Sequence, residues 1–64
     1  MTREELGNTI NELRQQRGMS IRELAERSEV NKATIVNLEK GRFSPRFEIV
    51  EKICHVLGAK IEIK

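Results

Sequence analysis

The sequence holds one cysteine, one histidine, one proline and no apolar run near the ~20 residues needed to cross a bilayer. Each scarcity excludes something. A single thiol, Cys54, cannot close a disulfide within the chain, which points to a reducing compartment rather than a disulfide-framed secreted fold. The N-terminus lacks the pattern of a signal peptide, so a soluble, cytoplasmic protein with no membrane partner is expected. His55 directly follows Cys54, and neighbours on a helix diverge by about 100°, so the two form neither a catalytic dyad nor a metal pair. With no glycine-rich phosphate loop and no spaced ligand cluster, the chain is expected to be no enzyme and to carry no metal and no cofactor. Internal repeats, low-complexity segments and linkers are also missing.

The 64 residues fit a single domain. A chain this short buries only about 60% of its unfolded surface, so dimerisation is a natural supplement to its stability. Lys and Arg number 12 against 10 Asp and Glu, a net charge of +2 that is too small to argue for nucleic acid. The distribution is more telling. Lys40, Arg42 and Arg46 lie in one stretch without an acid between them, while the acids gather at Glu4, Glu5, Glu12, Glu23, Glu26, Glu48 and Glu51. One positive patch on an otherwise balanced surface is expected.

The remaining residues spell four helices. Thr2 to Arg17 carries a possible Thr2–Glu5 capping box and a stripe of Leu6, Ile10 and Leu13, and Gly18 closes it. Arg14 and Arg17 fall in its last turn, where cations suit the helix dipole. Ser20 and Glu23 form a second capping box before Ile21 to Ser28, with Ile21, Leu24, Ala25 and Ser28 on one face. After Glu29 and Val30, Asn31 caps a third helix that runs to Lys40 and ends at Gly41.

At helical spacing Asn31, Thr34, Ile35 and Leu38 can face the core, and Lys32, Ala33, Val36, Asn37 and Lys40 face outward. A bland solvent face would carry Glu–Lys pairs four apart. Instead Asn37 can make a bidentate contact to adenine, Lys32 can reach guanine or a phosphate, and Ala33 and Val36 suit thymine methyls. Ser44 and Pro45 then read as N-cap and first residue of a fourth helix to Leu57, burying Phe47, Val50, Ile53, Cys54 and Leu57. Its positive N-terminal end, beside Arg42 and Arg46, could hold a phosphate. Residues 59–64 alternate apolar and polar with period two, a strand whose economical partner is its own copy from a second chain.

Leu13, then Met19 through Leu38, Glu39 and Gly41, then Pro45 through Gly58 together resemble the phage repressor and Cro type of helix-turn-helix, also called the xenobiotic-response-element (XRE) family. The resemblance covers roughly Leu6 to Gly58 and rests on the spacing of all four helices. It implies an all-α fold, a small lambda repressor-like four-helix DNA-binding domain over 1–58, here followed by a dimerisation strand over 59–64 through Ile61 and Ile63. It further implies that the helix from Asn31 to Lys40 lies in the major groove. Lys32, Ala33, Val36 and Asn37 would read bases, and Asn31, Lys40, Arg42, Phe43, Ser44 and Arg46 would touch phosphates. Family members bind palindromic double-stranded operators as homodimers and repress transcription. Two positions depart from the pattern: Ile21 stands where many relatives have a phosphate-binding glutamine, and Glu29 where many have glycine. The strand-like tail is more similar to antitoxin-type members, so the alternative reading is an antitoxin that binds a toxin partner and regulates its own promoter.

Overall fold

The computed structural model describes residues 1–59. They form α1 (Arg3–Gln16), α2 (Ile21–Ser28), α3 (Lys32–Glu39) and α4 (Phe47–Leu57), so the described residues are all-helical, as the periodicity predicts. Of the expected strand only Ala59 is described; Ile61 and Ile63 lie outside the described residues.

The helix starts follow side-chain chemistry. At α1 the Glu5 N–H donates to Thr2 Oγ1 and the Thr2 N–H donates to Glu5 Oε1, both at 3.1 Å, which completes the expected capping box. The bond from the Thr2 backbone, and then that from its hydroxyl, holds the Glu5 carboxyl below the ordinary carboxylate range. At α2 only half of the expected box forms. The Glu23 N–H donates to Ser20 Oγ at 3.0 Å, but the Glu23 carboxylate turns away to pair with Arg27 one turn on, at 2.9 Å. At α3 the Ala33 N–H donates to Asn31 Oδ1 at 2.8 Å.

All four helices end alike. At each end the left-handed residue and the one after it donate back to carbonyls of the last turn, as Gly41 does to Leu38 and Arg42 to Asn37, both at 3.0 Å. This Schellman closure places one residue in the left-handed region. Glycine serves at the ends of α1, α3 and α4, whereas α2 closes on Glu29 with φ 57°. A side chain in that conformation costs roughly 1–2 kcal/mol. The departure from glycine noted in the sequence is therefore a strained turn, not a rearranged one.

Among the described residues ten make the core: Leu6, Ile10, Leu24, Ala25, Ile35, Leu38, Val50, Ile53, Cys54 and Leu57. α3 packs against both α1 and α2, and α2 packs against α4. The approach of α1 to α3 depends on Gly7, where a Cβ would run into the backbone carbonyl of Leu38 and come within 2.8 Å of that of Glu39.

Three expectations are corrected. α4 begins at Phe47 with Arg46 as its cap, and no side chain caps it. Ser44 and Pro45 instead line a shallow groove with Met1, Thr2, Arg3 and Leu6. Phe47, expected in the core, is 64% exposed. Helical spacing assigns a residue to a face, but a neighbour must also cover that face at that level, and the main neighbour of α4 is α2. Asn31 is exposed, its side chain engaged as the cap of α3, and Thr34 is only half-buried, so the inner face of α3 rests on Ile35 and Leu38. No helix among the described residues is long and apolar enough to cross a membrane.

Candidate nucleic-acid interface

The inner side of α3 is fixed by a polar network that periodicity alone does not reveal. Arg14 of α1 grips Glu39 with two prongs, Nε donating to Oε2 at 2.8 Å and Nη2 to Oε1 at 3.1 Å. Its Nη1 donates to the Met19 carbonyl at 2.8 Å, so the same guanidinium ties the α1–α2 turn to the end of α3. Asn11 Nδ2 donates to Glu39 Oε1 at 2.7 Å and is itself steadied by Gln15 Nε2, which donates to Asn11 Oδ1 at 2.6 Å. The Arg14 and Glu39 side chains are 12% and 6% exposed. Hydrogen bonding to Glu39 lifts the Arg14 pKa further above its ordinary value, so the guanidinium stays charged. Arg14 was expected to serve the helix dipole; its structural role is to hold α3. The sequence did carry a signal. Glu39 stands four residues after core Ile35, and Arg14 four after core Ile10, so each places a charge on an inward face that only an opposite charge can satisfy.

The outer side is different in kind. Lys32 and Ala33 are exposed, and Val36 and Asn37 are half-buried. These four form one short face of α3. Asn31 sits at its N-terminal end; at the other end Gly41 reverses the chain and brings Arg42 back over Asn37. Arg42 Nη1 donates to Asn37 Oδ1 at 3.0 Å. Lys40, Ser44 and Arg46 are exposed along the following loop, while Phe43 packs against the core and pins that loop down. The first N–H groups of α4 point out beside Arg46 without a side-chain cap.

Charge separates the two sides further. Arg3, Arg14, Arg22 and Arg27 are each paired with a carboxylate. Among the described residues six cations take part in no salt bridge: Arg17, Lys52, and the four of α3 and the segment that follows it, Lys32, Lys40, Arg42 and Arg46. Glu39, the one acid between these four along the chain, is turned inward and paired with Arg14. Lys40, Arg42 and Arg46, the basic stretch noted in the sequence, are exposed, and Lys32 precedes them on α3. No group of three or more metal-ligating side chains is found among the described residues.

A helix-turn-helix family model matches residues 10–63. A helix-turn-helix-type transcriptional regulator of Archaeoglobus fulgidus, itself uncharacterised, is 43% identical over 53 residues, covering 83% of this chain and 76% of the relative. One of Methanothermobacter thermautotrophicus is 45% identical over 49 residues, covering 77% of this chain and 71% of that one. Among solved structures, the clp gene regulator ClgR of Corynebacterium glutamicum superposes with a TM-score of 0.89 at 38% identity, covering 95% of this chain and 78% of that one. In a second ClgR structure the TM-score is 0.87 at 39% identity, and this chain spans 63% of that chain's length. The chain thus belongs to the XRE-type helix-turn-helix family of DNA-binding transcriptional regulators.

Proposed function

We propose that this protein binds double-stranded DNA sequence-specifically as a homodimer and represses transcription, with α3 seated in the major groove of a palindromic operator. The observation that carries the reading is the run of four cations outside any salt bridge, Lys32, Lys40, Arg42 and Arg46, on and just after α3, whose outer face itself holds no acid. A major groove about 12 Å wide admits a helix with its side chains. In that pose Lys32 and Asn37 meet base edges, and Ala33 and Val36 pack on thymine methyls. Asn31, Lys40, Phe43, Ser44 and Arg46, with the N-terminus of α4, lie along the phosphates, which fix register without reading sequence. Ile61 and Ile63 supply the pairing between copies.

Selection of bound sequences from a random duplex library, followed by titration at several salt concentrations, tests the DNA role. A two-fold symmetric consensus is expected, and Lys40→Ala should weaken all sequences alike while flattening the salt slope by about one. Enrichment of no sequence, or a salt slope unchanged by Lys40→Ala, refutes it. For the dimer, sedimentation equilibrium of a chain ending at Gly58 should show a monomer at concentrations where the full chain is paired. A truncated chain that remains dimeric sinks the role of Ile61 and Ile63.

A further inference from the structure

We propose that Arg42 is a positioning residue that sets which base Asn37 reads, turning the amide toward guanine. This rests on the DNA-reading role proposed above for the outer face of α3. The closure of α3 makes the pairing a consequence of the fold. With Gly41 left-handed, the Arg42 N–H donates to the Asn37 carbonyl, so residues 37 and 42 are stacked at the helix end. Schellman closures usually carry an apolar contact near this place. Here a guanidinium and an amide occupy it, joined at 3.0 Å.

The chemistry fixes the orientation of the amide. A guanidinium has donors only, so the atom it meets on Asn37 must be the oxygen. The Asn37 NH2 group is then the end turned away from Arg42. Unrestrained, an asparagine can present acceptor and donor together, the pattern that matches adenine N6 and N7. With its oxygen directed to a cation, Asn37 presents donors, and the neighbouring guanidinium adds positive potential. Guanine, which displays two acceptors at N7 and O6, is the edge that fits; the adenine amino group would face a donor. Arg42 is exposed and has N–H groups left over, so it can bridge Asn37 to a phosphate in the same pose.

The test is base preference rather than affinity. Sequence selection with the wild-type chain and with Asn37→Ala identifies the base pair that depends on Asn37. At that pair the wild type should favour guanine over adenine by roughly 5- to 100-fold. Arg42→Met, which keeps a long stem but has no donor, should move the preference at that one pair toward adenine. In an Asn37→Ala background the same Arg42 change should alter no base preference, only overall binding. Thermal melting of Arg42→Met alongside the wild type checks that the exposed substitution leaves the fold intact. If Arg42→Met weakens all bases at that pair alike, Arg42 is a phosphate contact only and the proposal fails. A wild-type preference for adenine also overturns it. A wild type that selects no sequence at all instead removes the DNA-reading role on which the proposal stands.

Discussion

Ile35, Leu38 and Glu39, on the inner side of α3, are held by α1 and α2 through close packing and a buried ion pair with three supporting amide and carbonyl contacts. The side chains of Lys32, Ala33, Val36 and Asn37, on the outer side of the same eight residues, make one hydrogen bond among the described residues, and it comes from Arg42. A helix this short is not stable alone. Its inner face must therefore be over-determined if its outer face is to be left open for a partner. The difference teaches that stability and recognition are carried by different residues only one position apart on the chain, and that they can be perturbed separately.

The largest expected effect falls on the inner face. Glu39→Ala leaves the Arg14 cation largely buried with only the Met19 carbonyl, and should cost about 3 kcal/mol of stability. Urea denaturation measures it, and a loss below about 1 kcal/mol would mean the pair behaves as a surface contact. Gly7→Ala drives a methyl into the carbonyls of Leu38 and Glu39 and should cost about 1–3 kcal/mol, since backbone rather than a flexible side chain must move. No change in the urea midpoint would show that α1 and α3 can separate freely. Glu29→Gly should act in the other direction. Relief of the left-handed strain outweighs the added freedom of the unfolded chain, for a net gain of about 0.5–1 kcal/mol read as a higher urea midpoint. Destabilisation there would show that the Glu29 side chain has a partner that outweighs its backbone strain. Smallest of all, Asn37→Ala should change stability by less than about 0.5 kcal/mol while removing base discrimination at one position. If its urea midpoint drops as far as that of Glu39→Ala, the separation of the two faces is wrong.

Much of this architecture was legible in the sequence, and the physical reasons differ by residue. The helix ends at Gly18, Gly41 and Gly58 and the caps at Thr2 and Asn31 are local signals, written within a few residues of the structure they produce. Glu29 stood out only as a departure from the glycine that many members of the resembled family carry there, and its left-handed φ shows that the turn is kept at a cost in strain. What escaped was long-range. Arg14 and Glu39 lie 25 residues apart, and Asn11 and Glu39 lie 28 apart. Only tertiary packing brings them together, although each charge on an inward face foretold the need for a partner. The requirement for glycine at position 7 comes from the carbonyls of another helix and has no local signature. Phe47 shows the converse error, an apolar residue with helical spacing that the described residues leave exposed. At the site, spacing was enough to place Lys32, Ala33, Val36 and Asn37 on one face, but not to join Asn37 to Arg42, because that contact depends on how α3 closes.

The central claim is that the outer face of α3 and the loop after it form the DNA surface while the inner face only supports them. Titration of the 15N-labelled protein with its selected duplex, followed amide by amide in NMR spectra, tests this most directly. The account predicts the largest shifts at Lys32, Ala33, Val36 and Asn37 and along Lys40 to Arg46, with little change on the exposed side of α4. Shifts concentrated instead at Glu48, Glu51, Lys52 and His55, with the outer face of α3 unmoved, would contradict it.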